Sequence, residues 1–160
     1  MSNRDRYSLI DFILRIRNRL EMSPLFKEIE RHLEFHGYTV KYEDDVLKAV
    51  HSSKPAFWVH PSLEGALFMA LFELGPGARS NRNALYAFVN KANMKSIVAK
   101  FGSNDDSLAI SAWYPNLYDK RSFSEFFDQY MADINAPPVR DSTEVQNLFW
   151  SNPPSIPGLE

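Results

Sequence analysis

The nine residues 66–74, ALFMALFEL, constrain the fold more than any other part of the sequence. Large apolar side chains occupy both alternating sets of positions, with Leu67 and Leu71 in one set and Phe68 and Phe72 in the other. Successive side chains of a strand point to opposite faces of its sheet. If this run is a strand, both of its faces are apolar, and each face needs a cover.

A helix is the alternative for this run, because a short apolar stretch has no diagnostic periodicity of its own. The length of the run and its flanks favour the strand. Gly65 precedes the run, and Gly75, Pro76 and Gly77 follow it, so residues that interrupt regular structure stand at both ends. We predict a strand that is buried on both faces.

Helices of the same domain are expected to cover one face of this strand. Four candidates could cover the second face: a predicted N-terminal helix, an apolar island at residues 148–150, a second copy of the chain, or a segment of another protein. The choice between a cover from within the chain and a cover from outside it decides whether this face is core or binding surface.

Helices are predicted wherever apolar residues recur at helical spacing. Ser23 and Pro24 mark the start of one helix and Gly37 its end, because these residues suit the two termini. Ser122 is followed three residues later by Glu125, and this pattern predicts a capping box at the start of the last helix. The predicted helices cover residues 5–20, 24–36, 81–92 and 122–134.

Strand patterns fill the intervals between the helices. Residues 56–60, 95–102 and 107–114 are predicted strands, the last two joined by an acidic turn at 103–106. Residues 39–51 are predicted to form a hairpin that turns at Asp44 and Asp45, with a short helix over 44–52 as the alternative. The elements predict an α+β fold, an antiparallel sheet of about five strands with helices packed on it, in the order α-α-β-β-β-α-β-β-α.

The length of 160 residues predicts one domain over residues 1–135, with residues 1–21 as an additional N-terminal helix. A Pro-rich tail is predicted over residues 136–160, which hold five of the ten prolines. No apolar run is long enough to span a bilayer, and Asp11 and Arg15 interrupt the apolar run near the N-terminus. We therefore expect a cytoplasmic protein without a membrane partner.

Charge and cysteine usage narrow the classes of function. The net charge of −2 does not suit a protein built to neutralise phosphates, so nucleic acid is not an expected partner. The absence of cysteine excludes disulfides, thiol catalysis and cysteine-ligated metals. Aromatic residues make up 14% of the chain, which supplies large apolar side chains for a core or a binding surface.

Several short patterns could carry chemistry, but each has a simpler interpretation. His32 and His36 share a helical face in the segment HLEFH, which lacks the glutamate that follows the first histidine in zinc proteases. The carboxylate pairs at 44–45 and 105–106 are expected to lie in water at turns rather than to catalyse proton transfer. Residues 75–77 are interpreted as a loop leading into a helix, because Pro76 removes one of the amides that a phosphate would need. We expect no metal, no cofactor and no catalytic residue.

The order of elements after the first helix resembles the YbjN family, whose fold is similar to that of type III secretion chaperones. The most telling segment runs from residue 78 to residue 134. It holds a helix with the Asn-rich end VNKAN, a two-stranded meander with the acidic turn Asn104-Asp105-Asp106, a polar linker and a Phe-rich helix. The resemblance covers about residues 22–135 and implies a type III secretion chaperone-like fold. It also implies a regulatory role, since the family is named as one of sensory-transduction regulators. The resemblance supplies no active site.

These features favour a protein-binding module, chaperone-like or regulatory, over an enzyme. The module is expected to hold an apolar segment of a partner protein, or to pair with a second copy as a homodimer. The expected partner-binding residues are Phe57, Trp58, Phe68, Phe72 and Trp113, each of which could equally belong to the core. The alternative is a small-ligand binder or an enzyme with a pocket between sheet and helices.

Overall fold

The computed structural model describes residues 24–43, 45–62, 64–104, 106–115 and 117–135. The predicted N-terminal helix and the predicted Pro-rich tail lie outside these residues. The prediction that residues 1–135 form one domain therefore stays a prediction.

The described residues form four helices and six strands. In chain order they are α1 (Pro24–Phe35), β1 (Thr39–Glu43), β2 (Val46–Val50), β3 (Phe57–Ser62), β4 (Gly65–Glu73), α2 (Pro76–Ser80), α3 (Arg82–Lys95), β5 (Lys100–Ser103), β6 (Ser107–Pro115) and α4 (Lys120–Ile134). None of these helices is long and apolar enough to cross a membrane.

The strands form one antiparallel sheet in the order β1-β2-β3-β4-β6-β5. The predicted α+β class is confirmed, and so is the strand nature of residues 66–74. The predicted number of about five strands is one too low, because the hairpin before β3 contributes two full strands of five residues each. Four strands rather than three thus precede α2.

The described residues divide into two compact units, and the first consists of those within 24–68 and 114–119. Its α1 has the predicted amphipathic pattern, with Ile29 and Leu33 fully buried. The helix ends as predicted at Gly37, whose φ of 84° is the left-handed conformation that glycine adopts without strain. The N–H of Tyr38 donates to the carbonyl of Leu33 at 3.0 Å and closes this helix terminus.

The first unit also contains the predicted hairpin. β1 and β2 pair from Thr39 opposite Val50 to Glu43 opposite Val46, so two residues form the turn. Asp45 has a φ of 66°, a conformation that two-residue hairpin turns require and that aspartate tolerates better than most residues. The alternative of a short helix over 44–52 is wrong.

The second unit consists of the described residues within 69–113 and 120–135. Its described core includes large side chains with at most 2% of their surface exposed, from α3, β6 and α4: Leu85, Leu108, Ile110, Phe123, Phe127 and Tyr130. Two predicted boundaries are wrong here. α3 continues to Lys95, so β5 begins at Lys100 rather than at residue 95.

Two predicted helix caps in the second unit also differ from the structure. Asn81 caps α3, because its Oδ1 accepts a hydrogen bond from the N–H of Ala84 at 3.1 Å. The capping box at Ser122 is wrong, since α4 begins at Lys120 and Ser122 lies inside the helix. Glu125 instead accepts a hydrogen bond from Arg121 one turn earlier at 3.0 Å.

Candidate functional site

The two apolar sides of β4 have different environments. Ala66, Phe68 and Ala70 are fully buried. Leu67 and Met69, which alternate with them, are half-buried, and Leu71 is 44% exposed. The prediction that this strand is buried on both faces is therefore wrong for β4, because one face is closed and the other is partly open to solvent.

Two of the predicted partner-binding residues belong to the core of the first unit. Phe57 and Phe68 are fully buried, and their ring centroids lie 5.9 Å apart. The ring of Tyr38 packs edge-on against Phe57 at 5.2 Å. In this conformation neither phenylalanine presents its ring to a partner.

A third predicted residue, Phe72, lies in the second unit. It is half-buried, and it shares the strand periodicity of the buried Ala70 rather than that of the exposed Leu71. Phe72 therefore lies at the margin of the closed face, close to the end of β4.

Trp58 lies on the open face of β3 in the first unit. Its neighbours Phe57 and Val59 are fully buried, so its side chain points to the opposite face of the sheet. Trp58 is half-buried and stands directly opposite Lys48 of β2. The amine of Lys48 lies 3.5 Å from a carboxylate oxygen of Glu43, so the residues near Trp58 are polar as well as apolar.

Trp113 lies on the open face of β6 in the second unit. It is 48% exposed, whereas its neighbours Ala112 and Tyr114 are each 3% exposed. The N–H of Leu74 donates to the carbonyl of Asp106 at 2.8 Å. Leu74 follows the end of β4, and Asp106 precedes the start of β6. In an antiparallel pair, this hydrogen bond sets a register in which the open side of β4 lies beside the open side of β6.

We call the resulting set of side chains the Trp113 surface, and it consists of Met69, Leu71, Ala109, Ser111 and Trp113. Each member is half-buried or exposed in the described part of the chain. Met69 and Leu71 were not among the predicted site residues. Both alternating sets of β4 are apolar, so the residue pattern cannot show which set faces outward.

A buried carboxylate fixes the loop that precedes β5 in the second unit. Asp133 of α4 is 5% exposed. Its carboxylate accepts hydrogen bonds from the N–H groups of Ile97, Val98 and Ala99 at 2.9–3.0 Å. Such charge-assisted hydrogen bonds satisfy both the buried charge and the backbone amides. Asp133 therefore has a structural role in the second unit, where it holds the loop before β5.

Hydrogen bonds and ion pairs within the second unit engage the turn before β6 and the side chain of Arg79. Asn104 Oδ1 accepts hydrogen bonds from the N–H groups of Asp106 and Ser107, which makes the turn before β6 self-contained. Arg79 binds Glu73 at 3.1 Å and lies 3.8 Å from a carboxylate oxygen of Asp106. The arginine next to residues 75–77 is thus engaged by carboxylates.

The histidines of α1 stack on each other rather than converge on a common point. The rings of His32 and His36 lie 4.7 Å apart at 29°. Among the residues that the structure describes, no group of three or more histidine, aspartate or glutamate side chains could hold a metal ion.

Two tyrosines of the first unit are held in the neutral form. Burial raises the pKa of Tyr38 to about 12. Burial, together with the nearby carboxylate of Glu30, raises the pKa of Tyr42 even further. Both hydroxyls remain protonated near neutral pH.

Neither a family model nor a curated relative matches the sequence. Among solved structures, the chain is similar to YbjN from E. coli, which is described as "a putative transcription regulator". The two chains are 18% identical, and the similarity covers 69% of this chain and 86% of YbjN with a TM-score of 0.55. The chain therefore has a YbjN-like fold, which confirms the resemblance seen in the sequence.

Proposed function

We propose that this chain with a YbjN-like fold is a non-enzymatic protein-binding module, chaperone-like or regulatory. It binds an apolar segment of a partner protein on the Trp113 surface. The observation that carries the proposal is the exposure of Leu71 and Trp113, at 44% and 48%, on strands whose other faces are closed. Exposed apolar side chains that cluster on a rigid element are typical of binding surfaces.

The composition of the Trp113 surface suits a protein partner. A tryptophan, a methionine and a leucine supply apolar area, and aromatic residues and methionine are enriched at the centres of protein interfaces. Ser111 adds a hydroxyl next to them, which can bind a polar group of the partner. The side chains stand on strands β4 and β6, so they are positioned before a partner arrives, which lowers the entropic cost of binding.

A regulatory role draws support from the description of YbjN as "a putative transcription regulator". A non-enzymatic role draws support from the local pairing of charged residues in the second unit. Arg79 is engaged by Glu73 and Asp106, and the carboxylate of Asp133 is occupied by backbone amides.

The experiment compares two variants that place the same charge at two exposed apolar positions of the second unit. Trp113→Asp alters the Trp113 surface, and Met94→Asp alters an 87% exposed residue of α3. Tagged wild-type protein and both variants are used for affinity purification, followed by mass spectrometry. Each reproducible partner is then purified and titrated against all three proteins.

We expect a partner that binds wild type and Met94→Asp with equal affinity and binds Trp113→Asp at least about tenfold more weakly, a loss of about 1.4 kcal/mol. Circular dichroism and thermal unfolding verify that both variants fold. A purified partner that binds Trp113→Asp as well as wild type would contradict the proposal. A small molecule that copurifies in place of any protein would favour a ligand-binding role.

A further inference from the structure

The two edges of the sheet differ in their capacity to pair with another strand. At one edge, the side chain of Asn93 acts as a substitute for a neighbouring strand. Its Oδ1 accepts a hydrogen bond from the N–H of Phe101 at 2.8 Å, and its Nδ2 donates to the carbonyl of Phe101 at 2.9 Å. Phe101 lies in the middle of the four-residue edge strand β5. Both outward backbone groups of Phe101 are thus already bonded, which closes this edge at Phe101.

The other edge of the described sheet is β1. Two residues form the turn between Glu43 and Val46, so these two residues make a hydrogen-bonded pair, and the bonded pairs alternate from there. Val40 and Tyr42 fall between the bonded pairs, and their N–H and C=O groups point away from β2. Among the described residues these groups have no hydrogen-bond partner.

The side chains of β1 agree with an accessible edge. Thr39, Lys41 and Glu43 are exposed, and Val40 and Tyr42 are half-buried. Each of the other five strands of the described sheet has at least one buried residue. Free edges of this kind are templates for pairing with another strand.

We propose that the free edge of β1 pairs with β1 of a second copy of the chain and forms an antiparallel dimer. The charges along β1 favour this occupant. In one register, Tyr42 of one copy stands opposite Tyr42 of the other. Lys41 of each copy then stands opposite Glu43 of the other, so the symmetric arrangement makes two pairs of opposite charge. In the register shifted so that Lys41 of one copy stands opposite Lys41 of the other, the two positive charges face each other, which is unfavourable.

The closed edge at Asn93 limits the size of the assembly. Within the described sheet, each copy offers the β1 edge for pairing, and pairing of identical edges about a twofold axis uses both of them. The assembly therefore ends at two copies and does not extend into a filament. This inference does not depend on the proposed binding function, because it uses residues of β1 and β5 rather than the Trp113 surface.

The test measures the dimer dissociation constant of the full chain by analytical ultracentrifugation over a concentration series. Lys41→Glu and Glu43→Lys each place like charges opposite one another, and each is expected to raise the dissociation constant about tenfold or more. The double variant with both changes restores opposite charges and is expected to return the dissociation constant to within about threefold of the wild-type value.

Lys48→Ala is the matched control, since Glu43 also pairs with Lys48 of its own chain at 3.5 Å. This substitution removes the internal pair without changing the charges of β1, so the dimer should persist. Circular dichroism establishes that each variant is folded. A chain that is monomeric at every concentration overturns the proposal, and so does a dimer that is unaffected by either charge reversal. Assemblies larger than a dimer overturn it as well.

Discussion

The carboxylate of Asp133 lies 2.9 Å from the backbone nitrogen of Ala99, although 34 residues separate them in sequence. The same carboxylate also binds the N–H groups of Ile97 and Val98. One side chain near the end of α4 therefore determines the conformation of the loop that leads into β5. This contact also explains why the helix and the strand on either side of the loop differ in length from the sequence-based expectation.

Replacement of Asp133 is expected to be among the most damaging single substitutions in the second unit. Asp133→Ala leaves three backbone amides without their acceptor and should lower the free energy of unfolding by about 3 kcal/mol or more. Asp133→Asn keeps one acceptor oxygen and should lower it by about 1–3 kcal/mol. Urea unfolding measures both. Asp128→Asn, on the exposed side of α4, is the control and should change stability by less than about 0.5 kcal/mol.

Gly65 should not tolerate a side chain. A Cβ atom at this position would lie 2.0 Å from the carbonyl oxygen of Tyr114, a backbone atom that cannot rotate away. Gly65→Ala should lower the free energy of unfolding by about 3 kcal/mol. Gly102 has no atom within 4 Å of the corresponding position, so Gly102→Ala should change it by less than about 0.5 kcal/mol. Equal stability of the two variants would show that the close approach at Gly65 is absent in solution.

The hydroxyl of Tyr42 is buried and has no hydrogen-bond partner among the described residues. Its removal eliminates a desolvated polar group, so Tyr42→Phe should leave the free energy of unfolding unchanged or raise it by up to about 1 kcal/mol. Tyr130→Phe is the opposite case. It removes a hydrogen bond from the hydroxyl to the carbonyl of Ile110 at 3.3 Å and should lower stability by about 1 kcal/mol. A large loss in Tyr42→Phe would show that its hydroxyl has a partner in solution.

The stability of the protein should fall as the pH rises above 10. Burial raises the pKa of Tyr38 from 10.0 to about 12, so the unfolded chain loses this proton at a lower pH than the folded chain. Between these two values the unfolded state binds fewer protons, and each unit of pH should lower the free energy of unfolding by up to about 1.4 kcal/mol per tyrosine. Urea unfolding from pH 9 to pH 12 measures this slope.

Tyr38→Phe should make the decline between pH 10 and pH 12 shallower, because one of the responsible protons is then absent. Tyr42 should continue to contribute, since its pKa is also raised by burial. A wild-type slope that Tyr38→Phe does not alter would show that Tyr38 titrates normally in the folded state.

Local patterns in the sequence were sufficient where the structure depends on neighbouring residues. Gly37 ends α1 because its positive φ favours glycine, and Asp45 suits the hairpin turn because aspartate tolerates a positive φ. The α+β class and the strand nature of residues 66–74 follow from periodicity and from the glycines on either side of the run. Each of these features is set within about ten residues of chain.

The open face of the sheet could not be predicted, because burial depends on how distant elements pack. Both alternating sets of β4 are apolar, so period-two patterning could not distinguish the buried Phe68 from the exposed Leu71. Trp58 and Trp113 are predicted partner-binding residues because of their residue type, not because of a known orientation. Phe57 is predicted on the same ground, although it is fully buried.

Most helices, strands and turns could be predicted from local patterns, because backbone preferences and side-chain periodicity act over short distances. The contact of Asp133 with the amides of residues 97–99 and the closure of the edge at Phe101 by Asn93 depend on tertiary packing. Both are polar side chains with no local signature. Their partners come together only when the chain has folded, and burial then makes those hydrogen bonds obligatory.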